Sequence, residues 1–290
     1  MKKSRKLATL GICSALFLGL AACQQQHATS ERTNQRQSSS AKVPWKASYT
    51  NLNNQVSTEE VKSLLSAHLD PNSVDAFFNL VNDYNTIVGS TGLSGDFTSF
   101  THTEYDVEKI SHLWNQKKGD FVGTNCRINS YCLLKNSVTI PKLEKNDQLL
   151  FLDNDAIDKG KVFDSQDKEE FDILFSRVPT ESTTDVKVHA EKMEAFFSQF
   201  QFNEKARMLS VVLHDNLDGE YLFVGHVGVL VPADDGFLFV EKLTFEEPYQ
   251  AIKFASKEDC YKYLGTKYAD YTGEGLAKPF IMDNDKWVKL

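Results

Sequence analysis

An α+β fold is predicted by a change of hydrophobic period along the chain. Helical spacing fills the first third, strand-like runs fill the last third, and the turns between those runs are too short for parallel crossovers. N-terminal helices followed by an antiparallel sheet are therefore expected within a single domain over residues 44–290, with its helical part at 57–118.

Ser57-Thr58-Glu59-Glu60 offers a capping box, Ser57 with Glu60, ahead of Val61, Leu64, Leu65 and Leu69 at helical spacing. Asp70-Pro71 restarts the chain with a cap and a first-turn proline. Val74, Phe77, Phe78, Val81 and Tyr84 continue that face until Gly89. Asp106 to Gln116 carries Ile110, Leu113 and Trp114 on a third helix. Thr124 and Asn125 are good caps for a helix over Cys126–Lys135, which puts Cys126 in its first turn. Residues 153–206 are acidic at their start, hold helical stretches at Phe171–Phe175 and Val186–Phe202, and read as an insertion.

Met208–His214, Tyr221–Val231, Phe237–Phe245 and Ala251–Phe254 are strand-like. Asp215-Asn216, Asp218-Gly219, Ala233–Gly236 and Glu246–Pro248 separate them, and Ser256 caps a closing helix through Leu264.

The first residues stand apart from this domain. Lys2, Lys3, Arg5 and Lys6 precede an apolar run from Leu7 to Leu20, and Leu20-Ala21-Ala22 leads into Cys23. A basic start, a short apolar stretch and small residues mark a secretory signal rather than a span. The cysteine directly after Ala22 resembles the bacterial lipoprotein type. That resemblance implies cleavage after residue 22, lipid on Cys23, and attachment to the extracytoplasmic face of the cell membrane. Residues 23–43 lack large apolar side chains apart from Val43 and read as a disordered tether of roughly 25 Å.

Loss of residues 1–22 removes four basic side chains and no acid, taking the formal charge from -8 to about -12. Nucleic acid is excluded as a partner on that ground. Cys126, Cys132 and Cys260 remain in the folded part, an odd number that leaves at least one thiol unpaired or bonded to another molecule. Cys126 and Cys132 cannot pair on one helix, since six residues of rise separate their Cα atoms by about 9 Å, whereas a disulfide needs less than about 7 Å.

Three residues carry candidate chemistry. A thiol in the first turn of a helix meets backbone N–H groups and the positive end of the dipole, which favour a thiolate. A small buried apolar residue is the competing reading of Cys126. His226 lies between Gly225 and Gly228 on a strand where Val224, His226, Gly228 and Leu230 share a face, with the glycines leaving room beside the ring. A core histidine bonded to a carbonyl is its alternative. Glu241 shares a face with Phe237, Phe239 and Leu243, where a carboxylate is costly unless paired. The turn at Ala233–Gly236 sets it near His226, where it can orient the imidazole; a strand-end acid reaching solvent or a lysine is its alternative.

Asn125-Cys126, Gly225-His226-Val227-Gly228-Val229 and Phe239-Val240-Glu241 together resemble the papain-like cysteine peptidases, particularly the NlpC-type cell-wall hydrolases. In these a histidine opens a His-Val-Gly-aliphatic motif and a third polar residue lies on the next strand. The resemblance covers roughly Gly123 to Phe254. It implies a papain-like fold and hydrolysis of an amide bond, in peptides or peptidoglycan, with Cys126 as nucleophile, His226 as base and Glu241 as the orienting group. Asn125, Arg127 and Glu241 depart from that family, which usually has an acid before the cysteine, small residues after it and a histidine in third place. The pattern also resembles an uncharacterised family of Gram-positive lipoproteins, which implies no activity. A catalytically inactive binding or scaffold lipoprotein is accordingly the second reading. A solute-binding lipoprotein is disfavoured because no alternating strand–helix pattern is present.

No cofactor or metal is expected. The chain has no phosphate-binding glycine loop and no Gly-x-Ser-x-Gly elbow. Asp153-Asn154-Asp155 and Asp158 lack the glycine and terminal glutamate of a calcium loop and read as a solvated acidic loop. His214 reads as a turn residue, and His102 and His112 share no ligand spacing.

Overall fold

The computed structural model describes residues 45–100 and 103–290. The expected signal segment (1–22), the tether (23–43), Cys23 and His102 lie outside the described residues.

The described chain opens on β1 (Ala47–Thr50), which leads into α1 (Gln55–Ser66). Asn54, not the expected Ser57, caps this helix: its side chain accepts the Ser57 N–H at 2.9 Å, so the helix starts earlier and Ser57 falls inside the first turn. Asp70 and Pro71 start α2 (Pro71–Val88) as expected. Then come β2 (Thr98–Ser99), α3 (Val107–Lys118), α4 (Cys126–Leu134) and β3 (Val138–Thr139). The stretch expected as an insertion holds α5 (Phe151–Gly160), α6 (Ser165–Leu174), β4 (Val178–Pro179), α7 (Val186–Phe197) and β5 (Gln201–Phe202). The Asp153 run is therefore helical rather than a solvated loop, and Asp153 itself is fully buried. The remaining elements are β6 (Arg207–Asp215), β7 (Tyr221–Ala233), β8 (Gly236–Lys242), β9 (Tyr249–Phe254), α8 (Lys257–Lys267), β10 (Phe280–Asp283) and β11 (Lys286–Val288).

Among the described residues every strand pair is antiparallel, and the main sheet runs β11-β10-β6-β7-β8-β9-β1-β2, with β4 also on β7. The α+β class therefore holds, but helices do not simply precede the sheet. β1 precedes every helix among the described residues and joins β9 in register from Ala47 with Phe254 to Thr50 with Ala251.

Each face of the sheet buries its own core. On one face Val212, Val224, Val227, Val229 and Val240 pack with α1, α2 and α4 to α7. On the other, Val211, Leu213, Leu230, Phe239 and Ile252 pack against Cys260, Tyr261, Tyr263 and Leu264 of α8. The alternation of these two sets along the strands is the period-two pattern of a sheet covered on both sides. Among the described residues no helix is long and apolar enough to cross a membrane.

Candidate active site

Gly123 adopts φ +88°, and a Cβ there would meet the Trp114 ring at 3.2 Å, so the turn into α4 requires glycine. Asn125 then caps the helix, its side chain accepting the Ile128 N–H at 3.1 Å. Cys126 is the first helical residue, as expected, and is only 5% exposed. Tyr249 donates its hydroxyl to Asn129 Oδ1 at 3.0 Å, and Asn129 donates back to the Asn125 carbonyl at 2.8 Å, which fastens the helix start from below.

His226 reaches the site through an irregularity in β7. Val211 pairs with His226 while Val212 pairs with Val224, so Gly225 is an extra, bulged residue. The bulge places His226 and Val224 on opposite faces, where an unbroken strand puts them on the same one. The two flanking glycines do not leave open room either. A Cβ on Gly225 would lie 2.3 Å from the Leu213 side chain, and one on Gly228 would lie 2.3 Å from the Phe239 ring. Those neighbours already fill the space.

Glu241 sits near the end of β8, facing His226 from the adjacent strand. His226 Nε2 and Glu241 Oε2 are 2.5 Å apart, and both side chains are buried. This leaves Nδ1 of the same ring for Cys126, whose thiol lies close enough to His226 to interact with it. Three residues expected together from the sequence are thus adjacent, in the order thiol, imidazole, carboxylate.

Burial alone would raise the Cys126 thiol. The charge and hydrogen bond of His226, aided by Arg127, outweigh it and bring the thiol below its ordinary value. Burial also works against a charged His226, but Cys126 and Glu241 together raise it. Both shifts favour one charge-separated pair, thiolate with imidazolium. Glu241 is desolvated as well, yet Lys267, His226 and Tyr263 hold it at about 2. Tyr263 donates its hydroxyl to Glu241 Oε1 at 2.5 Å, and the Lys267 ammonium lies 3.5 Å from the same oxygen. Cys132 is pushed up to about 12 by burial, and Cys260 is also raised by burial. All three thiols are unpaired, so Cys126 and Cys132 form no bond to each other.

The family model of the domain of unknown function DUF4300 matches residues 48–288, which spans the whole of this site. The chain belongs to DUF4300. No curated protein and no solved structure matches it.

In this DUF4300 chain the sequence reading missed five residues around the site: Arg127, Asp153, Tyr263, Lys267 and Tyr268. Tyr263 and Lys267 stand four apart on α8, a spacing that aligns them on one helix face, but nothing local points that face at Glu241. Asp153 was hidden in its acidic run. It accepts from Arg127 Nε at 2.9 Å, from Arg127 Nη2 at 2.7 Å and from Asn125 Nδ2 at 2.7 Å. His214 is not a turn residue: it is buried in β6, with Nε2 2.7 Å from Glu220, Nδ1 accepting the Ala277 N–H, and its ring 4.4 Å from that of His189. Among the described residues no group of three or more His, Cys, Asp or Glu side chains could hold a metal ion.

Proposed function

We propose that this chain is a lipid-anchored extracytoplasmic cysteine hydrolase of papain-like fold that cleaves an amide bond. Cys126 is its nucleophile, His226 its base and Glu241 the group that orients His226. The observation that carries this reading is the buried sequence of contacts from Cys126 through His226 to Glu241 at the start of α4.

The chemistry follows from the atoms in place. The Cys126 thiolate adds to the carbonyl carbon of the substrate, and the carbonyl oxygen takes up the negative charge. Backbone N–H groups at the helix start and the helix dipole favour that charge. The intermediate collapses as the C–N bond breaks, and imidazolium His226 gives its proton to the departing amine. A thioester to Cys126 remains. Neutral His226 then takes a proton from water as the water oxygen attacks, and the acid leaves with the thiolate restored. Glu241 stays ionised throughout and holds the ring in the orientation that directs Nδ1 at sulfur.

Peptidoglycan peptides are the proposed substrate class, argued from the expected location outside the cytoplasm. The test is incubation of the full chain with muropeptides, followed by mass spectrometry. New amine termini with wild type and none with Cys126→Ala support the reading. Equal products from both proteins, or none from wild type across a muropeptide panel together with an ordinary thiol titration, sink it.

One observation favours the second reading, a binding or scaffold lipoprotein. Cys126 and His226 are only 5% and 1% exposed, so little of either side chain meets solvent in this structure. A chain that binds muropeptides tightly but keeps Cys126 unreactive at neutral pH fits that reading instead.

A further inference from the structure

The main sheet has a gap on one edge of β7, and α4 fills it. β8 pairs with β7 between Val229 and Ala233, and β4 pairs with it at Leu222 and Tyr221. Between these partners the Val224 and Val227 carbonyls take side chains of α4 in place of a strand. Arg127 Nη1 donates to Val224 O at 3.0 Å, and Ser130 Oγ donates to Val227 O at 3.2 Å.

We propose that Arg127 and Asp153 are positioning residues that set Cys126 against His226, a role that rests on the hydrolase reading of that pair. Arg127 follows Cys126 directly. Its Nη1 holds the carbonyl that immediately precedes bulged Gly225, two residues before His226. Its other edge is a two-point fork on Asp153, and the same Asp153 oxygen takes Asn125 Nδ2, the cap of the cysteine helix. One rigid guanidinium thus ties the thiol-bearing helix start to the bulge that presents the imidazole. Lysine carries the charge but not the planar fork and cannot make these contacts together. Asp153 has no exposed side-chain surface, and Arg127 and Asn125 supply the partners that balance its charge.

The test separates position from charge by sign. Arg127, His226, Asp153, Lys242 and Tyr268 are the charged or titratable groups whose fields reach the thiol. The Asp153 charge by itself opposes the thiolate. If Asp153 acts only through its charge, Asp153→Asn speeds Cys126 alkylation at acid pH. If it acts through position, Asp153→Asn slows it. The experiment follows iodoacetamide labelling of each cysteine of the full chain by peptide mass spectrometry from pH 4 to 10. Expected is a slowing of Cys126 by about tenfold or more at pH 6 in Asp153→Asn and Arg127→Met, as for a one-unit rise in thiol pKa. Arg127→Lys should not restore the rate, and Cys132 and Cys260 should stay slow. Faster or unchanged labelling of Cys126 in Asp153→Asn overturns the proposal while leaving the hydrolase reading intact, and so does full rescue by lysine. Accelerated labelling of all three thiols marks a general loosening and overturns it as well. A wild-type Cys126 that titrates like Cys132 removes the hydrolase reading and this role with it. Should Arg127→Met fail to fold, the sign in the nearly isosteric Asp153→Asn decides.

Discussion

The Tyr268 ring stacks on the imidazole of His226, with centroids 4.8 Å apart and planes 23° from parallel. Tyr268 directly follows α8 as its C-cap and is itself 8% exposed, so it covers one face of the candidate base. Stacking of this kind stabilises a cationic ring against an aromatic face.

The first prediction follows from that cover. Tyr268→Ala should open the site, and Cys126 labelling by a bulky maleimide should rise several-fold more than labelling by iodoacetamide. The size dependence identifies access rather than ionisation as the quantity changed. Loss of a large buried ring should also cost about 3–5 kcal/mol of stability in a urea melt. An unchanged ratio between the two reagents would show that Tyr268 does not gate the thiol.

The second prediction concerns the pH dependence that the Cys126–His226 pair contributes to stability. His226 is raised from an ordinary value of 6.5, so its contribution is fully present below 6.5 and is lost as pH rises through its folded value. Cys126 is lowered from an ordinary value of 9.0, so its contribution is present above 9.0 and is lost as pH falls through its folded value. Between 6.5 and 9.0 the change in one opposes the change in the other, and the two offset where the folded pair is thiolate with imidazolium, which holds as many protons as the unfolded pair. The stability difference between wild type and a Cys126→Ala, His226→Gln double variant should therefore be flat from pH 6.5 to 9.0. On either side it should fall by up to about 1.4 kcal/mol per pH unit. Arg127, Asp153, Lys242, Glu241 and Tyr268 also face the pair and are kept in the double variant. A difference that changes steadily across the plateau would mean that the two groups do not share a charge-separated state.

The third prediction isolates Glu241, which faces His226, Tyr263 and Lys267. Its folded value of about 2 against an ordinary 4.5 means that its stabilising contribution is present above 4.5 and is lost as pH falls toward 2. Glu241→Gln leaves a buried cation without its partner, and breaking a buried pair in this way costs about 3–5 kcal/mol. Urea melts at a series of pH values should show the wild-type advantage shrinking between pH 4.5 and 2. Cys126 alkylation at neutral pH should slow in the same variant, since the imidazole loses both its orientation and its counter-charge. A constant stability difference over that acid range contradicts the assignment.

Much of this site was legible because its residues carry local signals. Asn125 is a cap type directly before Cys126, and His226 and Glu241 are polar breaks in apolar strand faces. The short Ala233–Gly236 turn makes their two strands neighbours. What escaped the sequence has no local signature. The bulge at Gly225 depends on a register shift against Val211 and Val212, which period-two counting along β7 cannot detect. Its consequence is that His226 leaves the face of Val224. β1 is four residues long, too short for alternation to stand out, and its place beside β9 is set by a contact between distant segments. Asp153 is surrounded in sequence by acids that are solvated. Only the approach of Arg127 and Asn125 from α4 makes that one carboxylate buried and paired.

The last prediction lies with the segment before the described domain. Lys2, Lys3, Arg5 and Lys6, the apolar run to Leu20 and the Ala21-Ala22-Cys23 junction are the basis for proposing lipid on Cys23. One acyl chain gives only marginal and reversible attachment, whereas two chains on one anchor hold a protein at the membrane persistently. Carbonate washing of membranes should therefore leave the wild-type chain in the pellet. High salt should not release it, because a mature charge near -12 offers no electrostatic hold on anionic lipid. Cys23→Ala should remove the modification site, and the chain should appear either in the medium or as an unprocessed precursor of higher mass. Intact-mass measurement of the membrane form should show a diacylglyceryl adduct on a chain that begins at residue 23. A Cys23→Ala chain that is cleaved at the same position and sediments with membranes as wild type does would rule out the lipid anchor. That outcome would leave the Cys126–His226–Glu241 site unaffected, since the site stands on residues 123 to 268 alone.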